Sequence, residues 1–214
     1  MIVKVIAFSG RSKVGKDYIA TKTKELLEAA GYEVITDSFA AGMKVELGAA
    51  LKTLGIVSGA EEASFILNHP EAKELFRPLM LWLGWYRRSV SNNEYWIRNC
   101  HKRVLKNLNK LQSTPFKRKL PRIVFVLITD CRYPNEAAYI KERKLGADSW
   151  IIKVEGKVSW FQKLKYKYNI GVPEAELKID SYPELINATI VNDGTTDQTG
   201  AITKCLKNLK ILPS

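Results

Sequence analysis

The first 40 residues contain the pattern that most restricts the fold of this chain. The apolar run "IVKVIAF" at 2–8 is short and rich in β-branched residues, and a glycine follows it, as expected for a buried strand. Apolar spacing predicts an amphipathic helix over 16–30, and "EVITDSF" at 33–39 predicts a second strand. Strand, glycine loop, helix and strand in so short a span form one βαβ unit, which implies a parallel sheet.

The loop between the first strand and the helix, "GRSKVGKD" at 10–17, has the spacing G-x-x-x-x-G-K. Glycines let a backbone curl around phosphate oxygens, and the following helix directs its positive dipole end at the anion. Lys16 would reach the β and γ phosphates of a nucleotide. A glycine turn with a purely structural role is the alternative. The predicted phosphate-binding residues are Gly10, Arg11, Ser12, Lys13, Val14, Gly15, Lys16 and Asp17.

Asp17 stands where a hydroxyl residue usually follows the loop lysine. A carboxylate can also hold Mg²⁺, directly or through water, because this ion prefers oxygen ligands. Its repulsion of phosphate is tolerable only if the metal is present and nearby cations offset the charge. The loop is therefore expected to bind a metal-bound nucleotide. The alternative is an acid favoured only by the dipole of the helix that it begins.

A second carboxylate ends a later strand. "RIVFVLITD" at 122–130 is the most apolar run and predicts a strand inside the sheet. Asp130 would lie at the carboxyl edge, where open α/β sheets bind ligands, and could orient Mg²⁺ or its waters. Arg132 could reach a phosphate. Glu136 could contact a ligand or only cap the next helix, predicted over 135–146 with a glycine at its end.

Residues 41–112 are mostly helical in pattern, and they combine arginines with aromatic residues. Guanidinium groups match phosphate oxygens, and aromatic rings stack on bases, so this segment could form a nucleoside monophosphate pocket. A core stripe that includes Trp82 and Trp85 is the alternative. The candidate acceptor-binding residues of this segment are Arg77, Arg88 and Lys44. Asp37 and Ser38, at the end of the second strand and near the loop, could contact the acceptor or a metal-bound water. A capping or surface role is the alternative for Asp37, Ser38 and Lys44.

The net charge of +12 indicates an anionic partner, and the basic segments 98–122 and 157–168 carry much of it. A solvated face is the alternative to phosphate attraction or weak nucleic-acid affinity. The three cysteines are too widely spaced for a metal or redox pair and predict reduced thiols. No apolar run approaches the roughly 20 residues that span a bilayer, so no membrane partner is expected.

In this order, "GRSKVGKD", "DSFA", "RPLMLWLGWYRR", "DCRYPNEA" and "INATIVNDGT" resemble the deoxynucleoside monophosphate kinases of tailed phages. The resemblance covers roughly residues 3–205. It implies a single-domain α/β P-loop NTPase fold related to adenylate kinase, with a parallel sheet flanked by helices. A helical acceptor-binding insertion is implied at about 41–112 and a small lid at about 156–176, whose basic residues are Lys157, Lys163, Lys165 and Lys167.

The resemblance also implies an activity: transfer of phosphate from ATP, with Mg²⁺, to a dNMP, giving dNDP and ADP. It assigns ATP to the loop at 10–17 and metal binding to Asp17 and Asp130. It implies a phage-encoded, cytoplasmic enzyme, and a homodimer is compatible with the sequence. The implied catalytic residues are Lys16, Asp17, Asp130, Arg132 and Arg88, and the implied substrate-binding residues include Arg77, Arg88, Trp96, Arg132, Glu136 and Glu176.

Two alternatives stay open. Another small-molecule kinase with the same loop, acting for example on phosphomevalonate, would share the loop but not need the tryptophan-rich segment. A basic nucleic-acid-binding ATPase would explain the net charge. Against the second, the sequence has no helix-turn-helix, zinc-finger or RNA-recognition signature.

Overall fold

The computed structural model describes residues 1–114, 121–156, 160–168, 174–194 and 197–213. The chain divides into two compact units. The sheet unit consists of Met1–Asp37 and Val104–Ser214, and the helical unit consists of Ser38–Arg103. The helices are α1 Lys16–Ala29, α2 Ala41–Thr53, α3 Ala60–Asn68, α4 Pro70–Ser89, α5 Tyr95–Gln112, α6 Pro134–Lys141, α7 Trp160–Lys167, α8 Glu174–Leu177 and α9 Thr199–Asn208.

The sheet unit is built on five parallel strands in the order β2-β3-β1-β4-β5. Their bounds are β1 Ile2–Ser9, β2 Glu33–Asp37, β3 Ile123–Cys131, β4 Asp148–Gly156 and β5 Ala188–Asn192. β1 occupies the middle and pairs with β3 on one side and β4 on the other, so β3 is an interior strand as predicted. The parallel sheet with packed helices confirms the predicted α/β fold, and its first strand, glycine loop and helix form the P-loop motif.

The continuous apolar runs of β1 and β3 follow from burial of the sheet on both faces. Ile6 and Phe8 of β1 lie in one core cluster with Leu127 of β3. α1 adds Ile19 and Leu27 to the same cluster, which explains the 3.6-residue spacing of its apolar positions. This packing fixes β1 and α1, and therefore both ends of the loop between them.

α6 is shorter than predicted. It ends at Lys141, and Arg143 has a left-handed backbone with φ 57°. Gly146 does not cap this helix: a Cβ atom there would lie 2.5 Å from the Val3 carbonyl oxygen of β1. The glycine therefore allows two backbones to approach each other, which a sequence pattern cannot distinguish from a helix end.

The helical unit has its own core of apolar side chains from α2, α3 and α4. α2–α5 confirm that 41–112 is mostly helical. Trp82 and Trp85 do not belong to the core, as their side chains are 57% and 59% exposed on α4. The predicted core stripe is wrong at these two positions. The buried residues of this core are Leu47, Leu51, Val57, Ala63, Leu67 and Met80.

Among the described residues, no helix has the length and apolar character that a membrane crossing needs. Cys100, Cys131 and Cys205 are buried and form no disulfide, in agreement with the predicted reduced thiols. The single-domain organisation and the lid stay predictions. α7 lies in the proposed lid, but Lys157 and the side chain of Lys163 lie outside the described residues.

Candidate phosphate-binding site

The loop at 10–17 has a curled backbone that requires its glycines. Gly10, Lys13 and Gly15 all have positive φ angles, of 139°, 64° and 85°. A Cβ atom on Gly10 would overlap the Val154 carbonyl oxygen of β4, and one on Gly15 would overlap the side-chain amide of Asn192. The loop therefore lies directly against the ends of β4 and β5, where only glycine fits.

Asn192, the last residue of β5, holds the loop in this position. Its Nδ2 donates a hydrogen bond of 3.1 Å to the carbonyl oxygen of Val14. The Val14 side chain packs against the core, and a Cβ atom on Gly156 would lie only 3.1 Å from its Cα. The loop conformation is thus set by the strands beside it and not by its own sequence alone.

Lys16 lies at the centre of the site. Its side chain is only 7% exposed, and Nζ donates a 2.5 Å hydrogen bond to the carbonyl oxygen of Arg11. Burial, followed by the positive charge of Arg132, lowers the pKa of Lys16 to about 8. The carboxylates that oppose this shift are Asp17, Asp130 and Glu176. The fold thus brings Lys16, Asp17, Asp130 and Arg132, four of the residues predicted to be catalytic, together with Glu176, which was predicted to bind substrate.

The two carboxylates predicted to bind metal differ in exposure. Asp17 is exposed in the first turn of α1, and Asp130 is partly exposed near the end of β3. Both are hard oxygen donors beside a phosphate-type loop, which fits Mg²⁺ held jointly by protein, phosphate and water oxygens. Among the described residues, no group of three or more His, Cys, Asp or Glu side chains could hold a metal ion alone.

Glu136 makes the capping contacts that the sequence analysis offered as the alternative to ligand binding. Its buried carboxylate accepts hydrogen bonds of 2.8 and 3.1 Å from the backbone N–H groups of Arg132 and Tyr133. It therefore caps the N-terminus of α6 and fixes the turn that carries Arg132. These contacts are those of the capping alternative, and substrate binding by Glu136 stays a prediction.

The contacts that Asp180 makes with the loop, and Tyr182 with the end of β1, were not identified from the sequence. Arg11 Nη2 pairs with Asp180 Oδ2 at 2.7 Å, and Lys153 Nζ lies 2.9 Å from Asp180 Oδ1. Burial alone would raise the pKa of Asp180, but the bonds from Lys153 and Arg11 outweigh it and lower that pKa. Tyr182, whose pKa is raised by burial, bonds through its hydroxyl to Ser9 Oγ at 2.8 Å.

The sequence offered no signal for Asp180 and Tyr182, because they lie in two short 3-10 turns, Lys178–Ser181 and Pro183–Leu185, or between them. Asn192 did carry a signal. It ends a strand at the edge where the loop lies, and polar residues at such ends meet the ligand side of a parallel sheet.

The acceptor-binding candidates of the helical unit take part in local contacts. Arg77 pairs with Glu74 at 3.0 Å, and Lys44 donates a 2.5 Å hydrogen bond to Asn68. Trp96 is 2% exposed, so its ring faces offer no surface to a base in this conformation. Its Nε1 instead donates to a backbone carbonyl of α4. The remaining candidates are the partly buried Arg88 and Ser38, and Asp37 at the end of β2 in the sheet unit.

No protein-family model and no curated protein matches this chain. Similar solved structures include dephospho-CoA kinase from Campylobacter jejuni, with 12% identity, coverage of 97% of this chain and 96% of that one, and a TM-score of 0.40. Shikimate kinase from Acinetobacter baumannii in complex with shikimate has 14% identity, 97% and 93% coverage, and a TM-score of 0.38. A gluconokinase from Sinorhizobium meliloti 1021 has 10% identity, 99% and 98% coverage, and a TM-score of 0.34. These similarities assign no family to the chain.

Proposed function

We propose that this chain is an ATP-dependent phosphotransferase that phosphorylates a deoxynucleoside 5′-monophosphate, giving dNDP and ADP. One observation carries the proposal: a buried lysine at the centre of a glycine loop, surrounded by four charged residues of both signs. A buried amine with a lowered pKa is costly, and such groups are concentrated at functional sites. A solely structural turn would not need it.

In this proposal the loop binds the phosphates of ATP. Lys16 contributes a positive charge that a bound phosphate would pair with, which offsets the cost of its burial. Arg132, held by the cap of α6, contributes a second cation on the same side of the sheet edge. Both charges would stabilise the negative charge that spreads over the transferred group.

Asp17 and Asp130 would hold Mg²⁺ together with phosphate oxygens. The metal would supply charge neutralisation and orientation of the phosphate oxygens. Without it, two carboxylates next to a polyphosphate would repel the ligand, as Coulomb's law requires. Glu176, buried and acting on Lys16, would keep the amine charged and fixed in the loop.

The acceptor would be bound by arginines of α4. Arg77 and Arg88 match the dianionic phosphate of a nucleoside monophosphate, and Lys44, Asp37 and Ser38 are further contact candidates. The acceptor phosphate is already a nucleophile near neutral pH, so a strong general base is not needed. The work of the protein is then to align the acceptor oxygen with the γ-phosphorus and to exclude water.

An acceptor panel with ATP and Mg²⁺ tests this function. ADP release should depend on one or more of the common dNMPs, with AMP and GMP tested alongside them. Lys16→Ala should lose turnover while it stays folded. Turnover only with a phosphorylated non-nucleotide would replace the dNMP assignment by another small-molecule kinase. ATP hydrolysis stimulated by DNA, with no turnover of any acceptor in the panel, would favour the nucleic-acid-binding ATPase instead.

The nucleic-acid alternative rests on the basic character of α5, whose exposed residues include Arg98, Lys102, Lys106 and Lys110. A salt-dependent affinity for DNA alone would not establish it, because any basic surface gives that result. The phage origin, the cytoplasmic location and a homodimer stay predictions from the sequence.

A further inference from the structure

Arg11 makes polar contacts through both its side chain and its main chain. Its guanidinium pairs with Asp180 at 2.7 Å, and its main-chain carbonyl oxygen accepts the 2.5 Å hydrogen bond from Lys16 Nζ. Any movement of this residue would therefore move the group to which the central amine is bonded. Arg11 therefore connects Asp180 to Lys16.

Asp180 belongs to a firmly anchored turn. Its other carboxylate oxygen accepts a 2.9 Å hydrogen bond from Lys153 of β4. Two residues later, the buried Tyr182 bonds to Ser9 Oγ, at the very end of β1 and next to the loop. The Asp180 carboxylate is thus fixed relative to two strands of the sheet, and its ion pair transmits that position to Arg11.

We propose that Asp180 is a positioning residue of the phosphate loop: by pairing with Arg11, it fixes the carbonyl group that holds Lys16 in place for phosphoryl transfer. The inference rests on the proposed function, because it assigns a role within the same site. Asp180 touches neither ATP nor the acceptor in this proposal. It acts only through Arg11.

Replacement of Asp180 by asparagine separates positioning from charge. The variant loses one negative charge near an anion site, which by itself favours ATP binding. It also loses the ion pair with Arg11, because asparagine is neutral and has one acceptor oxygen where Asp180 uses two, one for Arg11 and one for Lys153. We expect kcat to fall about tenfold and the Kd for ATP to change by less than about threefold, since misplacement of a reacting group acts mainly on the transition state. A purely electrostatic role would instead tighten ATP binding and leave kcat unchanged, and that result would overturn the proposal.

A double-mutant comparison tests the route through Arg11. If Asp180 acts only through this side chain, Asp180→Asn should have no further effect on kcat in the Arg11→Gln background. An equal loss of kcat in both backgrounds, or a kcat of Asp180→Asn within twofold of the wild type, would refute the proposal. Asp148→Asn is the matched control. Its side chain is also 46% exposed and pairs with a lysine, Lys4 at 3.4 Å, and its replacement should leave kcat unchanged.

A second measurement does not depend on turnover and so separates this proposal from the proposed function. Amide hydrogen exchange of loop peptides covering 10–16, followed by mass spectrometry, should be faster in Asp180→Asn than in the wild type and in Asp148→Asn. Unchanged exchange would exclude a positioning role even if the wild type is an active kinase. Faster exchange in a protein that phosphorylates no acceptor in the panel would support the positioning role and reject the kinase assignment.

Discussion

Replacement of Lys16 by methionine should make the protein more stable at neutral pH while it abolishes phosphoryl transfer. Methionine has a similar length and packs in apolar surroundings, but it carries no charge. The pKa of Lys16 falls from 10.5 to about 8 in the folded protein, a decrease of about 2.5. At 1.36 kcal/mol for each pKa unit, keeping this amine charged and buried costs about 3 kcal/mol. The variant avoids this cost but loses the hydrogen bond to Arg11, which is worth about 1 kcal/mol, so the net stabilisation is about 2 kcal/mol.

The effect has a defined pH dependence. Between pH 8 and 10.5 the folded protein has released this proton while the unfolded chain still binds it, so wild-type stability rises with pH in that window. The methionine variant avoids the free-energy cost of burying the Lys16 charge. This cost is therefore at its full value below pH 8, declines between pH 8 and 10.5, and is absent above pH 10.5. The variant should be the more stable protein at neutral pH and lose this advantage in alkali.

Urea unfolding of both proteins, at a neutral pH and near pH 10.5, measures the two free energies of unfolding. Lys24→Met provides a control on the same helix, because the Lys24 side chain is 43% exposed and its pair with Glu28, at 3.8 Å, is loose. Its replacement should change stability by less than about 0.5 kcal/mol at either pH. A Lys16→Met protein that is less stable than the wild type at neutral pH, or equally stabilised at both pH values, would refute this reasoning.

Three further replacements test the residues that hold the loop in place, and a fourth, Gly200→Ala, is a control. Asn192→Ala removes the side-chain bond to a loop carbonyl and should cost about 1 kcal/mol of stability in a urea titration, with weaker ATP binding by calorimetry. Gly15→Ala should abolish ATP binding, because the residue has φ 85° and its Cβ would overlap Asn192. Gly200→Ala, with no atoms within 4 Å of the added Cβ and a place in α9, should instead stabilise by up to about 1 kcal/mol and keep ATP binding. Tyr182→Phe should lower the free energy of unfolding by roughly 1–2 kcal/mol, since it leaves the buried hydroxyl at the end of β1 with one partner fewer.

The periodicity of apolar residues predicted the elements around the glycine loop well. β1, the loop and α1 lie within one or two residues of their predicted bounds, because burial on both sheet faces and the amphipathic helix leave clear signatures in sequence. The end of α6 was missed because a glycine needed for close packing against β1 resembles a helix stop. Trp82 and Trp85 were misplaced because aromatic character does not tell which face of a helix its neighbours cover.

Site residues in short local motifs could be predicted from the sequence, whereas those that reach the site from distant segments could not. Lys16, Asp17, Asp130 and Arg132 belong to short motifs at strand ends, and a parallel sheet brings such ends to one edge. Asp180 contacts the loop from 169 residues away along the chain, in a segment without a motif. Contacts of this kind depend on the path of the whole chain, so neither spacing nor composition could indicate them.

The burial of the three cysteines gives the protein a built-in set of reporters. Cys100 belongs to the helical unit, whereas Cys131 and Cys205 belong to the sheet unit, and burial raises the pKa of both of the latter. A maleimide reagent reacts with thiolates that solvent can reach, so modification of each cysteine requires its surroundings to open. Pulse labelling in low denaturant, read by peptide mass, would therefore time the opening of the two units independently, without any engineered probe.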